Sequence, residues 1–548
     1  MSFTSYTWVA QTEKKDALRA ADTYLAVAVT GGLAMLMGLF LLSHMYGTLD
    51  FVSLQQMTAG EAKTPMLYAA GVCILVGFGA KAGVFPLHIW LPKAHPVAPA
   101  PASALLSGIL TKTGIFGVIV LSVRIFGGDQ PWGVLLALLG CATMFVGAVL
   151  GVFALDLKGT LACSSVSQIG FIVTGVAMCS LLYQEHALAA HGTLLHMMNH
   201  SLIKLVLFLS AGVVYMNTHE LDLNVIRGFG RKKPLLAVCF AIGGLSIGGI
   251  PLFSGYISKT LLHESILELG MEQLAKPVEM IFIASGGLTI AYMTKLFVTV
   301  FIEKNEDVVR QQTYDNKTNY MSKLTATAIS VVAVLLAVWG FCPHRLMERA
   351  AVAGESFFAI EHRASHEVHY FHPENLKGAL YSLLIGAVVY FFVIRVWMMK
   401  KEQGSRVFVN RWPKWLDMEN SIYRPLLLRF LPFVCGVICR VFDSAVDVLV
   451  VVLRKTLYRD TPLPHHYTEG NAFTRALGKV MNKCRDFANH TWRRSNPIQK
   501  DYVHYLAIRN DEIKQSNMII TRSVSFGLLL FGVGFCLMLF YVIAGDLK

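Results

Sequence analysis

Charge is scarce in this sequence. Asp, Glu, Lys and Arg make up 15% of its 548 residues, whereas 54% are hydrophobic, and the mean hydropathy is +0.52. That composition excludes a large soluble enzyme and matches a membrane protein. The ten cysteines include no C-x-x-C pair. Cys435 and Cys439, the closest two, lie one helical turn apart in an apolar run and read as small core residues. An iron–sulfur cluster or structural zinc in this chain is therefore not expected. A phosphate loop of the form G-x-x-x-x-G-K-S/T is absent, as is a dinucleotide fingerprint after a strand, so the chain is expected neither to hydrolyse ATP nor to carry electrons. The first twenty residues contain Glu13, Lys14, Lys15 and Asp16 and no apolar core, so no cleavable signal is expected.

What the chain has is apolar runs long enough to span a bilayer. Eleven are read, at about 23–46, 65–87, 103–125, 132–154, 160–180, 190–215, 235–262, 278–302, 323–342, 377–398 and 518–543. The expected fold class is an all-α polytopic membrane protein. The formal charge of +13 falls largely in loops and in the polar stretch 399–517. Anionic lipid headgroups and acidic partner subunits suit it better than nucleic acid.

The chain divides into an initial helix end (1–19), a nearly unbroken series of spans (20–302), two further spans with a polar loop (303–400), a long polar segment (401–515) and a last span (516–548). Within the polar segment, Tyr423 to Leu457 is mostly apolar, yet Arg429, Arg440, Asp443, Asp447 and Arg454 are spaced 11, 3, 4 and 7. At about 100° per residue they share one helix face. A long helix with one polar stripe suits the membrane plane; an amphipathic helix packed on its own protein fits the periodicity equally well. Pro462 and Pro464 interrupt it, and a second, more polar helix is predicted at 471–490.

Titratable residues inside the spans carry the functional signal. A lysine at a helix centre costs about 2.5–3.5 kcal/mol in hydrocarbon. Lys81 lies five residues before Pro86 and Lys259 eight residues after Pro251. Proline removes a backbone donor and opens a helix, which a membrane tolerates only where protein or water satisfies the freed groups. Two broken helices with a lysine on opposite sides of the proline are what an inverted repeat produces. The competing reading of each lysine is snorkelling from a helix end. Lys112, in "LLSGILTKTGIFGVIV", is flanked by apolar residues that make snorkelling difficult.

The stretch "LLHMMNHSLIKLVLFL" places His196, His200 and Lys204 four residues apart. They form one stripe about 12 Å long. Spacing of i, i+4 suits a metal, but no carboxylate or cysteine shares the face and Lys204 repels a cation. A proton relay fits better, because His titrates near neutrality and a desolvated Lys can be brought towards it. Polar residues that glue helices together explain one such group, not six on four spans. Weaker candidates are Ser164, Ser165, Ser167 and Gln168, which line a channel or cross-link helices, and Lys295, which lines a channel or snorkels. Arg124, Asp156 and Lys158 sit at span ends and read as interfacial. The histidines of "EHRASHEVHYFH" read as solvated loop.

The segments "KAGVFPLHIWLPKAHPVAPAPASALLSGILTKTGIFG", "SSVSQIGFIVTGVA", "LLHMMNHSLIKLVLFLSAG" and "GIPLFSGYISK" resemble the antiporter-like membrane subunits of respiratory complex I, Mrp cation/proton antiporters and group 4 membrane-bound nickel–iron hydrogenases. "AHPVAPAPASALLSG" is most similar to the hydrogenase and formate hydrogenlyase type, whereas the lateral helix with a last span resembles the distal complex I subunit. The resemblance implies that Lys81 is the lysine of the first broken helix, paired with a glutamate. It implies that Lys112, His196, His200 and Lys204 form a central hydrophilic axis and that Lys259 stands at the exit half-channel. Family members carry about five more N-terminal spans, the last bearing the glutamate, and no acidic residue here precedes Glu13. The glutamate is then expected on another polypeptide, or Lys81 has lost its gate.

The function expected from this is translocation of protons or sodium ions in a prokaryotic cytoplasmic (inner) membrane, by a non-catalytic subunit coupled to electron transfer elsewhere. The implied partners are other membrane-arm subunits, antiporter-like and small helical ones, and a peripheral redox module. That module would hold iron–sulfur clusters, with nickel–iron or flavin as further candidates; this chain would hold no cofactor. Two alternatives stand: a subunit of an Mrp-type antiporter without redox partners, and an inactive structural clamp.

Overall fold

Apolar helices account for most of the chain. The structure, a computed structural model, describes residues 2–59, 63–183, 186–341, 349–354, 358, 368–402, 405–413, 417, 421, 423, 425–456, 470–491 and 497–515. It forms two compact units, Met1–Leu416 and Asp417–Lys548.

In the first unit, α1 (Ser2–Ala10) leads into α2 (Lys15–Tyr46), a surface helix α3 (Phe51–Thr58) and the pair α4 (Pro65–Ala82) and α5 (Trp90–Val97). Then come α6 (Ala100–Ile125), α7 (Gln130–Phe153), α8 (Leu157–Leu182) and α9 (Ala187–Thr218). The short α10 (Leu223–Ile226) precedes a second broken pair, α11 (Pro234–Gly248) and α12 (Ser254–Leu267). After α13 (Glu272–Ile302) come α14 (Val308–Asn316), α15 (Lys323–Phe341) and α16 (Asn375–Trp397). Nine helices among the described residues are long and apolar enough to cross a membrane. The span predicted at 235–262 is divided between α11 and α12, neither of which reaches that length alone. The span predicted at 518–543 lies outside the described residues.

Helix α8 is the centre of this unit. Every side chain from Leu157 to Ser180 is buried, which is the pattern of a helix surrounded by others. Small residues bring its neighbour against it. A Cβ on Gly147 would lie 2.4 Å from the Ser167 backbone nitrogen, and one on Gly170 would lie 2.2 Å from that of Met144. Without water to drive association, such close backbone approach is how membrane helices pack.

The connections give the spans a direction. Segments 219–233 and 303–323, on the side where α2 begins, hold Arg227, Arg231, Lys232, Lys233, Lys304, Arg310, Lys317 and Lys323. The opposite connections 47–64, 126–129, 183–186, 268–271 and 342–374 hold Lys63, Arg345, Arg349 and Arg363. The excess of Lys and Arg assigns the first side to the cytoplasm. There a hairpin of β1 (Met399–Glu402) and β2 (Ser405–Phe408) follows α16. Arg227 ties it down, donating to the Arg406 carbonyl at 2.7 Å and pairing with Glu303 and Glu306 at 3.3 Å.

The second unit contains α17 (Leu431–Thr456) and α18 (Ala472–Thr491). Arg440 and Asp443 of the predicted polar stripe are exposed on α17; the side chains of Asp447 and Arg454, and the residues Pro462 and Pro464, lie outside the described set.

Candidate functional site

The first helix break opens at Gly83, three residues ahead of the proline that the sequence reading marked. Gly83 adopts φ +83 and its N–H donates to the Gly79 carbonyl at 2.8 Å, a left-handed helix end that favours glycine. Pro86 then precedes a short turn, Leu87–Ile89. The freed groups find partners: Phe85 N–H donates to Thr143 Oγ1 at 3.0 Å, and the Trp90 indole donates to the Ala80 carbonyl at 2.8 Å. Lys81 lies in the last turn of α4. Its Nζ donates to the Tyr24 hydroxyl at 2.9 Å and reaches Ser2 Oγ at 3.4 Å. Its hydrogen-bond partners are hydroxyls, where the family resemblance implies a carboxylate.

Lys112 follows a π-helical turn in α6, Leu106–Leu110. Such a turn marks a departure from regular α-helix, common at functional sites. Lys112 Nζ donates to the Ser107 carbonyl at 2.8 Å and meets His200 Nδ1 on α9. The sequence pattern put these two on different spans; the fold makes them a hydrogen-bonded pair.

His196 is held at both ring nitrogens. Gln168 Oε1 accepts from Nε2 at 3.1 Å, which leaves Nδ1 to accept from the Ser258 hydroxyl at 3.0 Å. Asn199 Nδ2 donates to the same hydroxyl at 3.2 Å and to the Ser254 carbonyl at 2.9 Å. Lys204, fully buried, donates to the Leu161 carbonyl at 2.7 Å and to Ser164 Oγ at 2.5 Å. Ser165 bonds Ser107 at 2.7 Å, so α8 is stitched to α6 as well as to α9. Ser167 is buried nearby, without a hydrogen-bond partner for its hydroxyl among the described residues.

The second break mirrors the first. Helix α11 ends in Gly249 at φ +74, Pro251 follows, and α12 begins at Ser254. Lys259 folds back across the break, and its Nζ donates to the Ile247 carbonyl at 2.9 Å. It stands over the Phe171 ring, 4.6 Å from its centroid. Phe171 also faces His196, with ring centroids 5.9 Å apart. An aromatic ring thus stands between the two groups, while Ser258, the residue beside Lys259, bonds His196.

Lys295 lies on α13 and reaches across to α7. It is buried, and its Nζ donates to the carbonyls of Gly151, Val152 and Ala154 at 3.1, 2.8 and 2.6 Å. It caps the C-terminal end of α7, where unpaired carbonyls and the helix dipole favour a cation. Lys158, read from sequence as interfacial, sits at a span end but is enclosed; it donates to the Ala98 carbonyl at 3.0 Å beneath the Tyr215 ring.

Three groups escaped the sequence reading. His95 is fully buried, stacks on Phe208 at 4.7 Å and lies within electrostatic reach of Lys204 and Lys158. His263, one turn beyond Lys259, bonds Glu279 Oε1 at 3.0 Å. A small cavity of about 50 Å³ touches Lys259, His263, Phe171 and Asn375. The signals were present: an unpaired His after the first break, a His four residues from a buried Lys, and a Glu within an apolar span.

A larger cavity of about 670 Å³ opens on the cytoplasmic side, lined by Lys14, Asp16, Asp156, His219, Asp222 and Trp412. Backbone bonds hold its wall, Leu157 N–H to the Leu221 carbonyl and Leu223 N–H to the Leu155 carbonyl, both 2.9 Å. Burial pushes the Asp156 carboxyl up to about 6, the Gly159 N–H and Lys158 oppose this, and Asp222 adds to it. Burial likewise lowers Lys233 to about 8; its Nζ donates to the Phe229 and Tyr314 carbonyls at 2.9 and 2.8 Å. Among the described residues, no three His, Cys, Asp or Glu side chains gather to hold a metal ion.

Comparison with known proteins gives this geometry a context. Residues 1–289 match the family model described as NADH:quinone oxidoreductase/Mrp antiporter, transmembrane. Hydrogenase-4 component B of Escherichia coli K12 is 32% identical over 356 residues, covering 62% of this chain and 52% of that protein. Formate hydrogenlyase subunit 3 of the same organism is 32% identical over 296 residues, 51% of this chain and 47% of the relative. The chain thus spans about half the length of these curated relatives. In fold it is similar to a chain of the Mrp complex from Dietzia sp. DQ12-45-1b, with a TM-score of 0.56, 21% identity and coverage of 69% of this chain and 73% of the other. The chain belongs to the NADH:quinone oxidoreductase/Mrp antiporter membrane family and is integral to the membrane.

Proposed function

We propose that this chain, an antiporter-like membrane subunit by its family, moves protons along a buried line running Lys81, Lys112, His200, His196 and Lys259, with Lys204 and His95 beside it. The observation that carries this reading is the Lys112–His200 hydrogen bond. Two groups that exchange protons readily meet there between α6 and α9, beside His196 and Lys204. Among the described residues, Lys81, Lys112, Lys204 and Lys259 have carbonyl, hydroxyl and imidazole partners rather than carboxylates. Nitrogen groups of this kind take up and release protons, whereas sodium is held by oxygen ligands and is repelled by ammonium groups. That favours H⁺ over Na⁺.

Protons would cross by stepwise exchange. Closely spaced cations repel strongly in a low-dielectric interior, so a proton entering at one end favours release from the other. Lys259 has the small cavity and the His263–Glu279 pair on its outward side, and these form the exit. The similarity to hydrogenase-4 component B and formate hydrogenlyase subunit 3 supports coupling to a redox module, whose subunits would hold iron–sulfur clusters with nickel–iron or flavin. The setting would be a prokaryotic inner membrane, among other antiporter-like and small helical subunits. In that assembly the 423–457 segment would lie in the membrane plane.

The test is proton uptake by inverted membrane vesicles carrying the native complex. Lys112→Ala and Lys259→Ala should abolish uptake while electron transfer persists. Uptake that is unchanged in both would overturn the reading. Uptake driven by a sodium gradient without any electron donor would instead favour an Mrp-type antiporter; the fold is similar to a chain of one Mrp complex.

A further inference from the structure

Helix α18 has three distinct sides. One faces the arm at 497–515. Asn482 Nδ2 donates to Asp501 Oδ1 at 2.8 Å and Tyr502 N–H donates to Asn482 Oδ1 at 2.9 Å. Asn489 exchanges two bonds with Ile498, both 3.1 Å, and Arg485 donates to the Lys500 carbonyl at 2.7 Å. Gly478 lets the arm close in, since a Cβ there would lie 2.6 Å from Val503 Cα. These bonds fix the rotation of α18.

The side turned away from the arm is apolar. Phe473, Leu477, Val480, Cys484 and Phe487 recur at intervals of 4, 3, 4 and 3, the spacing of one helix face. Phe473 is 74% exposed and Phe487 is 73% exposed. The arm bonds prevent this ridge from rolling inward. The third side carries Lys479 and Lys483. Across 471–500 the chain has seven Lys and Arg residues and a single acidic one, Asp486.

We propose that the α18 ridge is seated in the headgroup region of an anionic bilayer, with Lys479 and Lys483 on the lipid phosphates. An in-plane helix buries its apolar face about 5–10 Å into the headgroup boundary, and a ridge one helix wide suits that depth. Basic residues near an anionic surface strengthen such binding. An excess of positive charge matches anionic lipid directly. A polar protein partner would leave the two phenyl rings in water, and a second copy of α18 would bring like charges together.

Cys484, within the ridge between Val480 and Phe487, reports on this without further engineering. Native inverted membranes holding the full chain are treated with a water-soluble maleimide or a lipid-partitioning maleimide, and the Cys484 peptide is quantified by mass spectrometry. The lipid-borne reagent should label Cys484 at least tenfold faster than the soluble one, and the order should reverse at a Lys479→Cys site. In reconstituted phosphatidylglycerol bilayers, K479E/K483E should raise soluble labelling of Cys484 several-fold, with no change in phosphatidylcholine. Soluble labelling as fast at Cys484 as at position 479 would overturn the proposal. So would protection of Cys484 from both reagents, which would mean that protein covers the ridge. An unchanged rate for K479E/K483E in phosphatidylglycerol would overturn the role of anionic lipid.

Discussion

The ammonium of Lys259 donates to the carbonyl of Ile247, twelve residues earlier in the chain, at 2.9 Å. The bond crosses the helix break between α11 and α12. It puts a cation on the open C-terminal end of α11, where the helix dipole stabilises it. A lysine that would otherwise lack a partner in hydrocarbon is therefore positioned by the break itself.

This arrangement depends on Gly249. A Cβ there would lie 2.8 Å from Lys259 Cδ, and the residue holds φ +74. Gly249→Ala should displace the lysine from Ile247 and reduce proton uptake by tenfold or more, with the subunit still present in the complex by immunoblot. Uptake within twofold of the parent would show that the bond across the break is dispensable.

The Lys112–His200 pair makes a second test. Lys112→Met and His200→Leu should each lower uptake by tenfold or more. The double variant should be no worse than the weaker single one, since residues in direct contact act as a unit. Multiplicative losses would mean that the two serve separate paths.

Much of this line was legible in the sequence, and the reason is energetic. Lys112, His196, His200, Lys204 and Lys259 are so costly in apolar spans that composition alone marks them. Gln168 and Ser164 stood out as channel lining or helix cross-links, but Ser258, and which group each of the three would meet, were not legible, because they reach their partners from other helices through packing that a linear pattern does not encode. Proline marked the breaks, but the first one opens at Gly83, because a left-handed glycine ends a helix before the proline is reached. Lys158, read as interfacial, and Lys295, read as lining a channel or snorkelling, are both enclosed and donate to carbonyls at helix ends, contacts that their positions near span ends do not reveal.

Lys295 separates structure from transport. Lys295→Met should leave the carbonyls of Gly151, Val152 and Ala154 without their shared donor. Each unsatisfied buried group costs about 1–3 kcal/mol, so the thermal midpoint should fall by several degrees. Proton uptake per folded complex should stay within about twofold if the residue is only a helix cap. Loss of uptake at an unchanged midpoint would instead put Lys295 on the conducting path.

Asp156 gives a pH dependence with a defined sign. Its carboxyl ionises near 3.8 when unfolded and is pushed up to about 6 in the fold, chiefly by burial. Below about pH 4 both states hold the proton and the residue contributes nothing to the slope. Between about 4 and 6 the unfolded chain loses its proton first, so stability should fall as pH rises, by at most about 3 kcal/mol at 1.36 per pH unit. Asp156→Asn keeps an N-cap acceptor for Gly159 and removes the titration. Its midpoint should match the parent near pH 4 and exceed it at pH 7, as measured by thermal unfolding in detergent. Equal midpoints at both values would mean that Asp156 is ionised in the fold across this range, with Lys158 and the Gly159 N–H outweighing burial and the neighbouring Asp222.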